Sequence, residues 1–115
     1  MLMIAACNVI RSIIDTTYGY LAIGTGTTAV TEADTALVTE IVRLTKNTTD
    51  TGTDKQVDME FVMTSSQGNG STLTEVGLYT AATSGTMGSR DLISPIAKNN
   101  TFEISFLVTF IASNA

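Results

Sequence analysis

At 115 residues the chain has the length of one domain with a single modest core. Hydrophobic residues make up 43%, which excludes a disordered chain, and the net charge of −5 leaves only six Lys and Arg, too few for the basic cluster that nucleic acid or an anionic membrane surface requires. No histidine is present and cysteine occurs once, so the commonest general base and metal ligand is missing and no internal disulfide can form.

Leu2 to Ile14 places Met3, Ala6, Cys7, Ile10 and Ile14 at the spacing of one helical face. Arg11 and Asp15, four apart, are within pairing reach. The segment reads as a short amphipathic helix on its own core, or as an arm on a neighbouring subunit. Ile4-Ala5-Ala6-Cys7 has the form of a lipoprotein cleavage box, but no basic region and no adequate apolar stretch precede it, so none is expected. Tyr18 to Ile23 alternates like a partly buried strand. Gly24 and Gly26 end it, where positive φ or close backbone approach is available. Thr31 and Asp34 fit the capping-box spacing, which predicts a turn or two of helix over Ala33 to Glu40.

Ile41 to Thr48 and Val57 to Thr64 are the next strands, and in the second Val57, Met59, Phe61 and Met63 alternate with Asp58 and Glu60. The linker between them holds Asp50, Gly52 and Asp54 but lacks the other oxygen ligands of a calcium loop, so a solvated hairpin loop is expected. Ser65 to Ser71 is a polar loop. Leu73 to Tyr79 reads as a strand with Val76 and Leu78 on one side and Leu73, Glu75 and Tyr79 on the other. Gly77 in its interior marks a bulge or a close approach. Arg90 to Ile96 follows as a strand that Pro95 confines to an edge or a bulge. In the last strand Phe102, Ile104, Phe106, Val108 and Phe110 are expected to face the core. They alternate with Glu103, Ser105, Leu107, Thr109 and Ile111, a half-apolar row that predicts cover by the helix or by a neighbouring subunit. The expected fold is mainly β: a compact antiparallel β-sandwich, residues 1–115 as one domain, with an N-terminal helix or arm over 1–15 and one short helical turn segment. No apolar run reaches the ~20 residues of a membrane span.

Catalytic equipment is sparse. Cys7 has no histidine to activate it, and the GTGTT segment lacks the Lys-Ser/Thr ending of a phosphate-binding loop. Acid/base chemistry would have to draw on Glu32, Asp34, Glu40, Glu60, Glu75 and Glu103, with no Trp to line a sugar groove. The expectation is therefore no enzyme activity, no cofactor and no metal. Glu40, Arg43, Glu75 and Arg90 border strands and allow two readings. Either Glu40 or Glu75 is partly buried and paired with Arg43 or Arg90, fixing strand register or a subunit contact, or all four are solvated.

The order of an apolar strand, GTGTTA, a Thr-rich spacer, DTAL, two residues, Glu40 and then Arg43 resembles small structural proteins of tailed bacteriophages, including tail-fibre and tail-collar modules. LTEVGLY from Leu73 to Tyr79, followed by GTMGSR from Gly85 to Arg90, looks like the later pattern of that family. The resemblance implies a virion component assembled in the bacterial cytoplasm. As a free-standing domain the chain would be a capsid decoration or cement protein, a homo-oligomer, taken as a trimer, bridging major capsid subunits. Its contacts would include Leu107 and Ile111 of the last strand and the apolar N-terminal segment, with no nucleic acid and no membrane as partner. A tail-fibre, collar or baseplate module is the alternative. A carbohydrate-binding module, which would rely on Tyr18, Tyr20 and Tyr79, is a third reading.

Overall fold

The strict alternation in Gln56–Met63 shows how the core forms. Val57, Met59, Phe61 and Met63 are all out of water, while Asp58 and Glu60 between them face outward. The computed structural model describes residues 3–112. Along the chain run α1 (Ile4–Thr17), β1 (Tyr20–Gly24), β2 (Glu40–Asp50), β3 (Gln56–Met63), β4 (Thr72–Tyr79), β5 (Met87–Ala97) and β6 (Ile104–Ile111). The six strands form one antiparallel sheet in the order β5-β4-β1-β2-β3-β6.

Two sheet halves meet on β2. Its first part, Glu40 to Thr45, pairs with β1, and its second part, Lys46 to Asp50, pairs with β3. The sheet curls so that the halves face each other across a shared core. Leu21, Ile23, Leu73 and Leu78 come from one half, and Val57, Met59, Phe61 and Met63 from the other. Ile93, Ile96, Phe106, Val108 and Phe110 close in around them. The mainly β, two-layered antiparallel arrangement with a helix in front is the one the strand periodicity predicts.

Helix α1 packs on β3 and β6, with Cys7 completely buried. It runs past the expected end at Ile14 to Thr17, while Met3 is 68% exposed and Leu2 lies outside the described residues. Arg11 and Asp15 do not pair. The loop between β2 and β3 and the first residue of β3 present the carbonyls of Thr51, Thr53 and Gln56 to Arg11 Nη1 at 2.9, 2.6 and 2.9 Å, and Asp15 instead binds Lys46 Nζ at 2.6 Å. Across the structure, these partners outcompete a weak pair along the helix.

Three other expectations give way. Ala33 to Glu40 forms no helix: one turn closes where Asp34 N donates to Thr31 O at 3.2 Å, and beyond it the backbone N–H groups of Leu37, Val38 and Thr39 have side-chain partners on β4. Leu73 joins Val76 and Leu78 in the core and does not share a face with Glu75 and Tyr79. A bulge between Leu73 and Glu75 in the β4–β5 ladder resets the alternation. Finally, α1 does not cover the outer row of β6, since Leu107 and Ile111 are 68% and 60% exposed. Phe102, at 36% exposure, stands before the strand and outside the core.

Candidate functional site

The outer face of the β2-β1-β4-β5 half is a row of register partners: Arg43, Ala22, Gly77 and Arg90. Two small residues between two arginines make a dent in the sheet. Leu37 fills it from the loop joining β1 to β2, and a Cβ on Gly77 would lie 2.8 Å from Leu37 Cδ2. The close approach expected at this glycine is thus made by a loop side chain. Tyr79, two residues further along β4 on the same face, accepts Leu37 N at its hydroxyl, 3.2 Å away.

Glu75 holds this loop at both ends. Its Oε2 accepts Gly26 N and Thr39 N, each at 2.8 Å, and its Oε1 accepts Val38 N at 3.0 Å and Arg90 Nε at 3.0 Å. An ionised carboxylate has about four acceptor directions, and these bonds occupy them. Thr74 adds a bond from its hydroxyl to Gly26 O at 2.7 Å. Gly24 and Gly26 serve close approach and not positive φ: a Cβ on Gly26 would collide with the Glu75 carboxylate and stand 2.5 Å from Val38 Cβ.

Arg90 extends the clasp to the loop tip. Beyond Glu75 it donates to Asp34 Oδ2 at 3.1 Å and to Thr28 O at 2.8 Å. Asp34 in turn accepts Thr31 N and the Thr31 hydroxyl, each at 3.0 Å, so the capping-box pair is present without the helix. Burial alone would push the Glu75 carboxyl up. The N–H groups of Thr39 and Val38, the Arg90 guanidinium and Gly26 N outweigh it and hold Glu75 below its ordinary 4.5. Burial likewise works against the charge on Arg90, and Glu75 and Asp34 more than restore it.

Glu40 and Arg43 form a second pair at the rim of the same face. Arg43 bonds Glu40 through Nε and Nη2 at 2.8 and 2.7 Å. Its Nη1 donates to Ala81 O and Ser84 O at 3.0 and 2.7 Å, and its guanidinium stacks 3.7 Å above the Tyr79 ring. The loop between β4 and β5 is thereby tied to the start of β2.

All four charged candidates therefore gather on one sheet face, while Leu107 and Ile111 lie on the other half of the sheet. Residue reasoning marks Gly26 for close approach, Asp34 by its spacing from Thr31 and Tyr79 by its shared face with Glu75, but joins none of them to Glu75 and Arg90 in one site, and it gives no signal at Thr74. No protein-family model matches this chain, and no curated protein shows significant similarity to it. The chemistry of the clasp is that of a fastening, because Glu75 and Arg90 are directed at the chain's own backbone and at each other. Among the described residues no group of three or more His, Cys, Asp or Glu side chains is arranged to hold a metal ion. No described helix is long and apolar enough to cross a membrane.

Proposed function

We propose that this chain is a non-enzymatic structural protein of a phage virion, a capsid decoration or cement protein that sits on the outside of the shell and bridges major capsid subunits. The observation that carries the reading is an outward apolar surface on a fastened scaffold. Leu107 and Ile111 project from the outer face of β6, and Ile4, Val9 and Ile13 of α1 are at least half exposed. Apolar side chains presented in this way are the usual currency of protein contacts. The clasp supports the same reading from another side. The sequence blocks that resemble phage structural proteins supply Glu75 and Arg90, and these two residues fix a long surface loop through bonds to its own backbone. A subunit that works by shape needs its loops held in one form.

Self-association and contact with the major capsid protein are the partners this role requires. Antibody-gold electron microscopy on particles of the source phage is the test, and label over the heads is the expected result. Label at the collar, fibres or baseplate would transfer the chain to a tail module. No label with accessible epitopes would remove the virion role.

A further inference from the structure

The sheet is curled but not closed. β5 and β6 end it, and among the described residues neither has a hydrogen-bonded neighbour on its far side. A groove of about 430 Å³ separates them, lined by Leu21, Leu78, Ile93, Phe106 and Val108.

The two edges are built differently. β5 carries the exposed Asp91, Pro95 and two irregularities in its ladder with β4, which are devices that keep foreign strands off an edge. β6 has none of them. Its sequence ISFLVTFI contains no charge, no proline and no glycine, and its register with β3 runs unbroken from Ile104 opposite Met63 to Ile111 opposite Gln56.

The phase of the free backbone follows from one bond. Ala112 N donates to Lys55 O at 2.7 Å, continuing the β3 register, so the even-numbered residues of β6 direct their N–H and C=O groups to β3. The odd-numbered Ser105, Leu107, Thr109 and Ile111 direct theirs outward. These are also the residues whose side chains are exposed.

We propose that β6 pairs antiparallel with β6 of a second copy about a two-fold axis at Thr109, joining two curled sheets into one continuous sheet. Hydrogen-bonded pairs must match odd residues with odd ones. An axis at Thr109 sets Leu107 opposite Ile111 of the partner subunit and Thr109 opposite its own counterpart, with Val108 opposite Phe110 of the partner subunit on the inner face. An axis at Leu107 would instead set Ile111 opposite Glu103 of the partner subunit, an apolar side chain against a carboxylate.

Charge points to the same strip. Each copy carries −5, so two copies approach best along an uncharged line, and β6 is one. The nearest acid to the axis, Asp58 opposite Thr109 on β3, would stand three strand spacings from its counterpart, roughly 14 Å. That exceeds the screening length of about 8 Å at physiological ionic strength. An edge this short buries less than the roughly 1,200 Å² of a standard interface, so the dimer is reversible and concentration-dependent. The inference assigns the expected self-association a surface, and a two-fold where the resemblance implied a trimer. It concerns the purified chain and does not depend on a virion role.

Sedimentation velocity on the full chain, from about 5 µM to 0.5 mM, reads the association directly, and the weight-average mass is expected to climb toward twice the monomer value. Thr109→Pro removes an outward N–H that β3 does not use, and is expected to keep its circular dichroism spectrum while remaining monomeric. Oxidative cross-linking tests the register and serves if the proline variant does not fold. Thr109→Cys is expected to give a disulfide-linked dimer, since facing Cα atoms of a hydrogen-bonded pair lie about 5.5 Å apart. Leu107→Cys is not, because its counterpart lies four residues along the strand, roughly 13 Å away. The native Cys7 is fully buried and contributes no background. A wild type that stays monomeric over the whole range, a folded Thr109→Pro that still dimerises, or Leu107→Cys cross-linking as well as Thr109→Cys would each overturn the proposal.

Discussion

Glu75 and Arg90 meet at 3.0 Å from adjacent strands, and their side chains are 0% and 1% exposed. They are not opposite each other: Glu75 pairs with Leu92 and Arg90 with Gly77, so the contact runs diagonally across the β4–β5 ladder. That offset lets both side chains reach the loop, Glu75 its two ends and Arg90 its tip.

Removing one partner leaves the other charge buried with only part of its compensation, Arg90 with Asp34 and Thr28 O or Glu75 with its three backbone N–H groups, and costs about 3–5 kcal/mol. Glu75→Gln is expected to lose that much by urea denaturation, and Arg90→Met a similar amount. The double variant should lose less than the sum, since the second change removes a charge whose main partner is already gone. A loss of under about 0.5 kcal/mol in Glu75→Gln would mean that the carboxylate is solvated.

Acid should loosen the clasp. The folded pKa of Glu75 lies below its ordinary 4.5, so its contribution to stability is complete above that value and is lost as pH falls through the folded one. Asp34 acts in the same direction from its ordinary 3.8, held down first by Thr31 N and also by Arg90. Chemical denaturation across pH should therefore show a plateau above about pH 5.5 and a decline below about pH 4.5. In Glu75→Gln the plateau should be lower and the acid decline shallower. Stability that rises on acidification through this window would contradict the arrangement.

Gly26→Ala puts a methyl group into the Glu75 carboxylate and Val38. The expected cost is about 2–3 kcal/mol, with faster hydrogen exchange at the Val38 and Thr39 amides as the local signature. Gly19 is the control, because a Cβ there meets nothing within 4 Å. Gly19→Ala should leave those two amides as protected as in the wild type.

Arg43→Lys keeps the charge but loses the planar fork to Glu40 and the stacking on Tyr79. A loss of about 1–2 kcal/mol is expected, seen as a drop of several degrees in Tm. An unchanged Tm would show that charge alone suffices at this rim.

Local pattern was enough to find every strand of the sheet and the helix before it. A period of two in Val57 to Met63 and in Ile104 to Phe110, and a helical stripe through Cys7, Ile10 and Ile14, are properties of neighbouring residues, and burial on one face follows from them directly. The charged quartet was legible as residues of interest, but not which glutamate met which arginine or what else they held.

What only the tertiary structure decided lies where distant residues compete with local ones. Thr31 and Asp34 have the spacing that starts a helix, yet Val38 N is taken by Glu75, 37 positions away, so the segment lies flat on the sheet. Leu73 changes face because of a bulge against β5, and Arg11 leaves Asp15 for carbonyls about forty positions distant. A local rule is worth a few tenths of a kcal/mol here, whereas satisfying a buried carboxylate is worth several, and only the folded chain brings that carboxylate to the loop.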